Sequence, residues 1–169
     1  MPKNKNDTSK MTESELTYKD WSFEVDKELT INEYSRIDKP SAESCGCGNC
    51  LNYIAFRKKV FPDEIGHLFE KLGIDPNKEI EISHMAKLKN GLHYYCGWFH
   101  FIGNFNGKDC SIPLPYGGFT LDFHQITDNF GIGFTKAKTM SVFKTDQDLV
   151  QVDFDCRIPW VIDKDIEGE

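Results

Sequence analysis

Leu149-Val150-Gln151-Val152-Asp153-Phe154-Asp155-Cys156-Arg157-Ile158 is the stretch that decides the fold. Val150, Val152, Phe154, Cys156 and Ile158 alternate with Gln151, Asp153, Asp155 and Arg157, so a strand would place the first set in a core and the second in water. Working backward, Glu79 to Leu88, Leu92 to Phe105, Gly117 to Gln125 and Gly131 to Lys138 read as further strands. Lys89-Asn90-Gly91, Asn106-Gly107 and Asp128-Asn129 separate them. Such short connections favour antiparallel pairing.

Upstream the period changes. Pro62 opens a helix, Asp63 and Glu64 fill its first turn, Ile65, Leu68, Phe69 and Leu72 repeat at helical spacing, and Gly73 stops it. Leu51 to Val60 reads as an earlier helix with Tyr53, Phe56 and Val60 on one stripe and Arg57-Lys58-Lys59 in its last turn, where cations suit the dipole. Before it, Trp21, Phe23 and Val25 alternate, then Leu29 and Ile31 follow the Asp26-Lys27-Glu28 turn, which predicts a hairpin. The expected fold is α+β: an antiparallel sheet of about five to seven strands with two helices packed on it, an N-terminal hairpin, and a cysteine knuckle before the first helix. Residues 1–17 are polar with almost nothing to bury and read as a disordered tail, leaving a single domain over 18–165.

The 169-residue chain carries 20 Lys+Arg against 27 Asp+Glu, a formal net charge of −7. That balance argues against nucleic acid and anionic membranes as partners, because both would repel the domain. The 13 Phe build a core of large rings. With no apolar segment after the first residues and no long apolar run, the expected compartment is the cytoplasm. There thiols stay reduced, so the six Cys read as metal ligands, redox groups or core residues rather than disulfides.

Cys45-Gly46-Cys47-Gly48-Asn49-Cys50 is the constellation that carries chemistry. Three thiols in six residues, on a loop whose glycines permit tight turns, can reach one metal ion, and tetrahedral zinc uses such short-spaced thiolates. A fourth ligand has to come from solvent or from elsewhere: His84, His100, His124, Cys96 and Cys156 are the candidates, and strand parity puts Cys96, Trp98 and His100 on one face. The same cysteines support a redox or thiol-transfer reading, with Cys50 at a helix N-terminus and Cys45-Gly46-Cys47 able to form a small strained disulfide. No His-Glu pair in or beside the cysteine loop supplies the general base of a catalytic zinc.

Trp98-Phe99-His100-Phe101 suggests a ligand pocket but matches a packed strand better. Pro113-Leu114-Pro115-Tyr116-Gly117-Gly118 reads as a strand connection. Asp153 and Asp155 share one side of the last strand and read as a solvated face rather than an acid-base pair. Phosphate-binding and hydrolase motifs are absent from the sequence.

Cys45-Gly46-Cys47-Gly48-Asn49-Cys50-Leu51-Asn52-Tyr53, with Val60-Phe61-Pro62, Leu72-Gly73-Ile74-Asp75-Pro76 and Tyr94-Tyr95-Cys96-Gly97-Trp98-Phe99-His100-Phe101, resembles a group of uncharacterised bacterial proteins over residues 20–162. The resemblance implies a bacterial cytosolic protein and carries no activity. The residues themselves point to a non-enzymatic binding domain with a structural zinc on Cys45, Cys47 and Cys50 and a protein partner on the exposed sheet face. The alternatives are a thiol redox protein on the same cysteines and a small-molecule enzyme with a pocket near His100 and Trp98.

Overall fold

Strand β4 (His93–Asn106) is the axis of the fold, its 14 residues long enough to be paired along both edges. The structure is a computed structural model and describes residues 14–136 and 141–168. Strand β9 (Leu149–Ile158) runs antiparallel along one edge of β4, from His93↔Ile158 to Ile102↔Leu149. Beyond β9 lie β8 (Phe130–Lys136) and β7 (His124–Thr127). The opposite edge of β4 is shared: β3 (Glu81–Lys87) takes the first half, and β2 (Trp21–Val25), flanked by β1 (Ser14–Tyr18), takes the end. These strands make an open antiparallel sheet, seven-stranded among the described residues, in an α+β fold. A separate two-stranded arm, β5 (Ser111–Pro113) and β6 (Phe119–Leu121), stands off it.

One sheet face carries the core. Tyr95, Phe99 and Phe101 of β4, Val152, Phe154 and Cys156 of β9, and Phe130, Ile132 and Phe134 of β8 are all buried. Four helices are described rather than the two expected: α1 (Lys27–Ser35), α2 (Ser41–Cys45), α3 (Gly48–Phe56) and α4 (Asp63–Leu72). Helix α4 follows its sequence pattern, with Ile65, Leu68, Phe69 and Leu72 buried and Gly73 closing it at φ 80. Phe61, between α3 and α4, meets the rings of Phe69, Phe99, Phe130 and Phe154 with centroids 5.2 to 5.7 Å apart. Rings at such distances interlock edge to face and add to the burial term. Among the described residues no helix is long and apolar enough to cross a membrane.

The hairpin differs from expectation in its second arm. Asp26 is an N-cap rather than a turn residue: its Oδ1 accepts from Leu29 N–H at 3.0 Å, so Leu29 and Ile31 belong to α1. Strand β2 pairs instead with β1, across the turn at Lys19-Asp20. Ser14–Thr17, expected in the tail, are therefore part of the sheet, while residues 1–13 lie outside the described residues. The predicted strand over 117–125 divides into β6 and β7 because the Asp122 N–H turns to the Cys110 carbonyl at 2.8 Å. The end of the predicted strand 131–138 falls on undescribed positions.

The largest departure lies on the second face of β9, expected to be wet. Gln151, Asp153 and Asp155 are buried, the two carboxylates at 2% exposure. The segment leading into and out of the β5–β6 arm covers them. It can do so because β8 presents glycines there: a Cβ on Gly133 would stand 2.5 Å from Cys110 Cβ, and one on Gly131 2.6 Å from Asp155 Oδ1 and 3.0 Å from Phe123 Cβ. Asp155 Oδ2 accepts from Tyr94 and Arg157, both at 3.2 Å. Asp153 Oδ1 accepts from Gln151 Nε2 at 2.8 Å, and the Cys110 thiol lies 3.9 Å from Oδ2.

Burial pushes the Asp153 carboxyl up to about 6, against the lowering effect of its Gln151 and Cys110 hydrogen bonds. The native chain thus keeps a proton that the unfolded chain has lost, and stability falls as pH rises from about 4 to about 6 and stays lower above. The charged form costs on the order of 2 to 3 kcal/mol at neutral pH. Asp153→Asn is expected to melt above the parent at pH 7.5 and near it at pH 4, as read by thermal melts across that range; a variant less stable than the parent at both pH values would contradict the assignment.

Candidate metal centre

The cysteine loop is a corner between two helices. Helix α2 ends at Cys45, and Gly46 reverses the chain at φ 69 with its N–H on the Ala42 carbonyl. Cys47 is then the N-cap of α3, extended, with its carbonyl accepting from Leu51 N–H at 2.9 Å and its sulfur from Cys50 N–H at 3.5 Å. A thiol at an N-cap and another in the first helical turn project to the same side, and Cys45 arrives from the end of α2. The three sulfurs lie within 4.8 Å of one another. Cys45 and Cys47 are exposed, while Cys50 is tucked inward at 9%.

The electrostatics separate Cys47 from Cys50. The Cys50 N–H on its sulfur, reinforced by thiol neighbours and Asn49 N–H, lowers the Cys47 thiol against a modest burial penalty. Burial, then the neighbouring Cys45 and Cys47 sulfurs, push the Cys50 thiol far up. Cys47 therefore loses its proton before Cys50, and an ion with double positive charge would draw out the Cys50 proton as well.

A buried ion-pair network fixes this corner. Arg57, at the end of α3, grips Glu43 of α2 with Nη1 at 2.6 Å and Nη2 at 2.9 Å, and the same Nη2 reaches Glu79 Oε1 at 3.0 Å. Glu79, 1% exposed, also takes the Ala42 N–H at 3.2 Å. Burial raises the Glu79 carboxyl to about 7 even though Arg57 pulls it down, and Arg57 lowers that of the more exposed Glu43. On the other flank Tyr95 Oη donates to the Asn49 carbonyl at 2.8 Å, and Asn52 binds Pro159 O and Val161 N–H at 3.1 and 2.8 Å. The loop is thus held from α2, α3, β4 and the C-terminal segment. Sequence reading gave Arg57 only a dipole role; nothing in the residue order pairs it with Glu79, 22 positions on.

None of the candidate fourth ligands joins the triad. All six Cys and five His lie among the described residues. His84 Nε2 is 2.9 Å from His93 Nδ1, and His93 Nε2 2.9 Å from Glu167. His100, fully buried, lies between Ser141 Oγ at 2.8 Å and Gln151 Oε1 at 3.2 Å. His124 packs edge-on to Trp21, and Cys156 sits in the core. Cys96 shares the opposite sheet face with Trp98 and His100, as parity predicts, and stands across from Asp155. His100 has both ring nitrogens engaged inside the protein, so it offers no surface to a ligand. No protein-family model matches the chain, and neither do curated proteins or solved structures.

Removing the clamp tests its role. Arg57→Ala leaves Glu79 buried without its cation and is expected to cost about 3 kcal/mol in denaturant unfolding. It should also speed alkylation of Cys50, whose burial depends on the corner. A variant with parental stability and parental thiol kinetics would remove the clamp from the account.

Proposed function

We propose that this chain is a metal-binding domain in which Cys45, Cys47 and Cys50 hold a zinc ion and that it acts by binding rather than by turnover. The observation that carries the reading is the gathering of three sulfurs within 4.8 Å on a loop braced from four sides. Thiolates select soft and borderline ions, and zinc accepts short-spaced cysteines on such loops. The ion would tie the end of α2 to the start of α3, whose N-terminal dipole favours the accumulated thiolate charge. The net charge of −7 makes a protein with a neutral or basic surface the partner that fits, with nucleic acid and anionic membrane disfavoured. The cytoplasm, with its reduced thiols, is the compartment in which such a site stays loaded.

A second reading has one observation in its favour: Cys47 is exposed and its thiolate is stabilised by the Cys50 N–H, as a reactive thiol requires. The two part in one experiment on untagged protein purified without added metal. The zinc reading predicts about one zinc per chain and protection of all three thiols from alkylation until a chelator is added. Cys50→Ser should then lower the melting temperature of the zinc-loaded protein by about 3 to 6 °C, since binding free energy adds to folding stability. Metal-free protein with a single fast thiol at Cys47 would replace zinc with thiol chemistry.

A further inference from the structure

We propose that the ion at Cys45, Cys47 and Cys50 takes its fourth ligand from outside the chain, as a thiolate supplied by another molecule. The inference rests on the metal reading above and names what that site binds next. Its first support is the donor set. The group contains three sulfurs, and no histidine or carboxylate among the described residues joins it. Zinc with three protein ligands keeps an open position, whereas structural zinc is closed by four.

The second support is the shape of the loop. Its two glycines face different surroundings. On the Gly48 side a Cβ would stand 2.7 Å from Ile166 O and 3.6 Å from the Trp160 ring, so the C-terminal segment closes that flank. On the Gly46 side a Cβ would meet nothing within 4 Å, and the adjoining Cys45 and Cys47 are exposed. An incoming group therefore approaches past Gly46.

The chemistry selects the donor. An open zinc position becomes hydrolytic when a base beside it takes the proton of bound water. Here the charged groups of the corner, Glu43, Arg57 and Glu79, are committed to one another. Three thiolates make the ion soft, and a soft ion prefers sulfur. The step is a ligand exchange without redox change: the zinc–water bond breaks, a zinc–sulfur bond forms, and the thiol proton leaves to solvent with the water. A small thiol and a cysteine of a partner protein share this chemistry.

The test uses the full chain loaded with Co²⁺, whose sulfur-to-cobalt charge-transfer absorbance counts cobalt–sulfur bonds. The probes are glutathione, N-acetylcysteine amide as the stand-in for a protein cysteine, and N-acetylserine amide as the control. Either thiol should raise the absorbance by about a third, the step from three cobalt–sulfur bonds to four, and the serine compound should not. Saturation by glutathione at much lower concentration than by the cysteine amide assigns a small-thiol ligand; equal responses assign a site open to any accessible cysteine. Cobalt that stays bound with an unmoved spectrum, or that is stripped by the thiols, overturns the inference and leaves the metal reading standing. Failure to bind cobalt at all overturns both.

Discussion

Arg57 is the residue on which the cysteine corner depends. Its buried guanidinium, just past the end of α3, lies over the Tyr53 ring and grips Glu43 beside the loop and Glu79 beneath it. A planar fork with several N–H groups can satisfy two carboxylates at once, which an ammonium on a flexible stem does less well. Because Glu79 also takes the Ala42 N–H, one side chain links α2, α3 and the approach to β3. The sulfurs are close because the backbones that carry them are fixed by groups other than the sulfurs.

That arrangement changes the meaning of a metal here. In a small knuckle without other supports, the ion gathers its ligands and folding waits for it. In this domain the corner rests on an aromatic core, with Tyr53 of α3 packed against Tyr95 of β4 at 5.7 Å and Tyr95 holding Asn49. Preorganised ligands lose less entropy on binding, and the two exposed thiols would leave a bound ion within reach of solvent. An ion bound here would therefore find its ligands already gathered instead of having to gather them itself.

Much of the architecture was legible from local pattern. Helix α4 has its acidic first turn, its apolar stripe and its terminal glycine in consecutive view, and Val150 to Ile158 alternate without interruption. The cysteine triad was legible because three thiols in six residues are close whatever the fold. What alternation could not show was a second layer. Asp153 and Asp155 look like a solvent face, and only Gly131 and Gly133, directly opposite them on the neighbouring β8, let Cys110 and Phe123 descend onto them. Asp26 likewise reads as a turn until its carboxylate is seen on Leu29 N–H. Arg57 reads as a surface cation until Glu79 meets it from a distant segment. Each miss is a tertiary partner that no local window contains.

On this arrangement the cysteine corner stands before any ion arrives. Amide hydrogen exchange on the full chain, after chelation and again after stoichiometric zinc, tests it most directly. The account predicts that α3 and the segment around Glu79 are protected in both states, with the change confined to the loop from Cys45 to Cys50. Loss of protection along the whole of α3 in the metal-free protein would contradict it, and would make the ion, rather than Arg57, the support of this end of the fold.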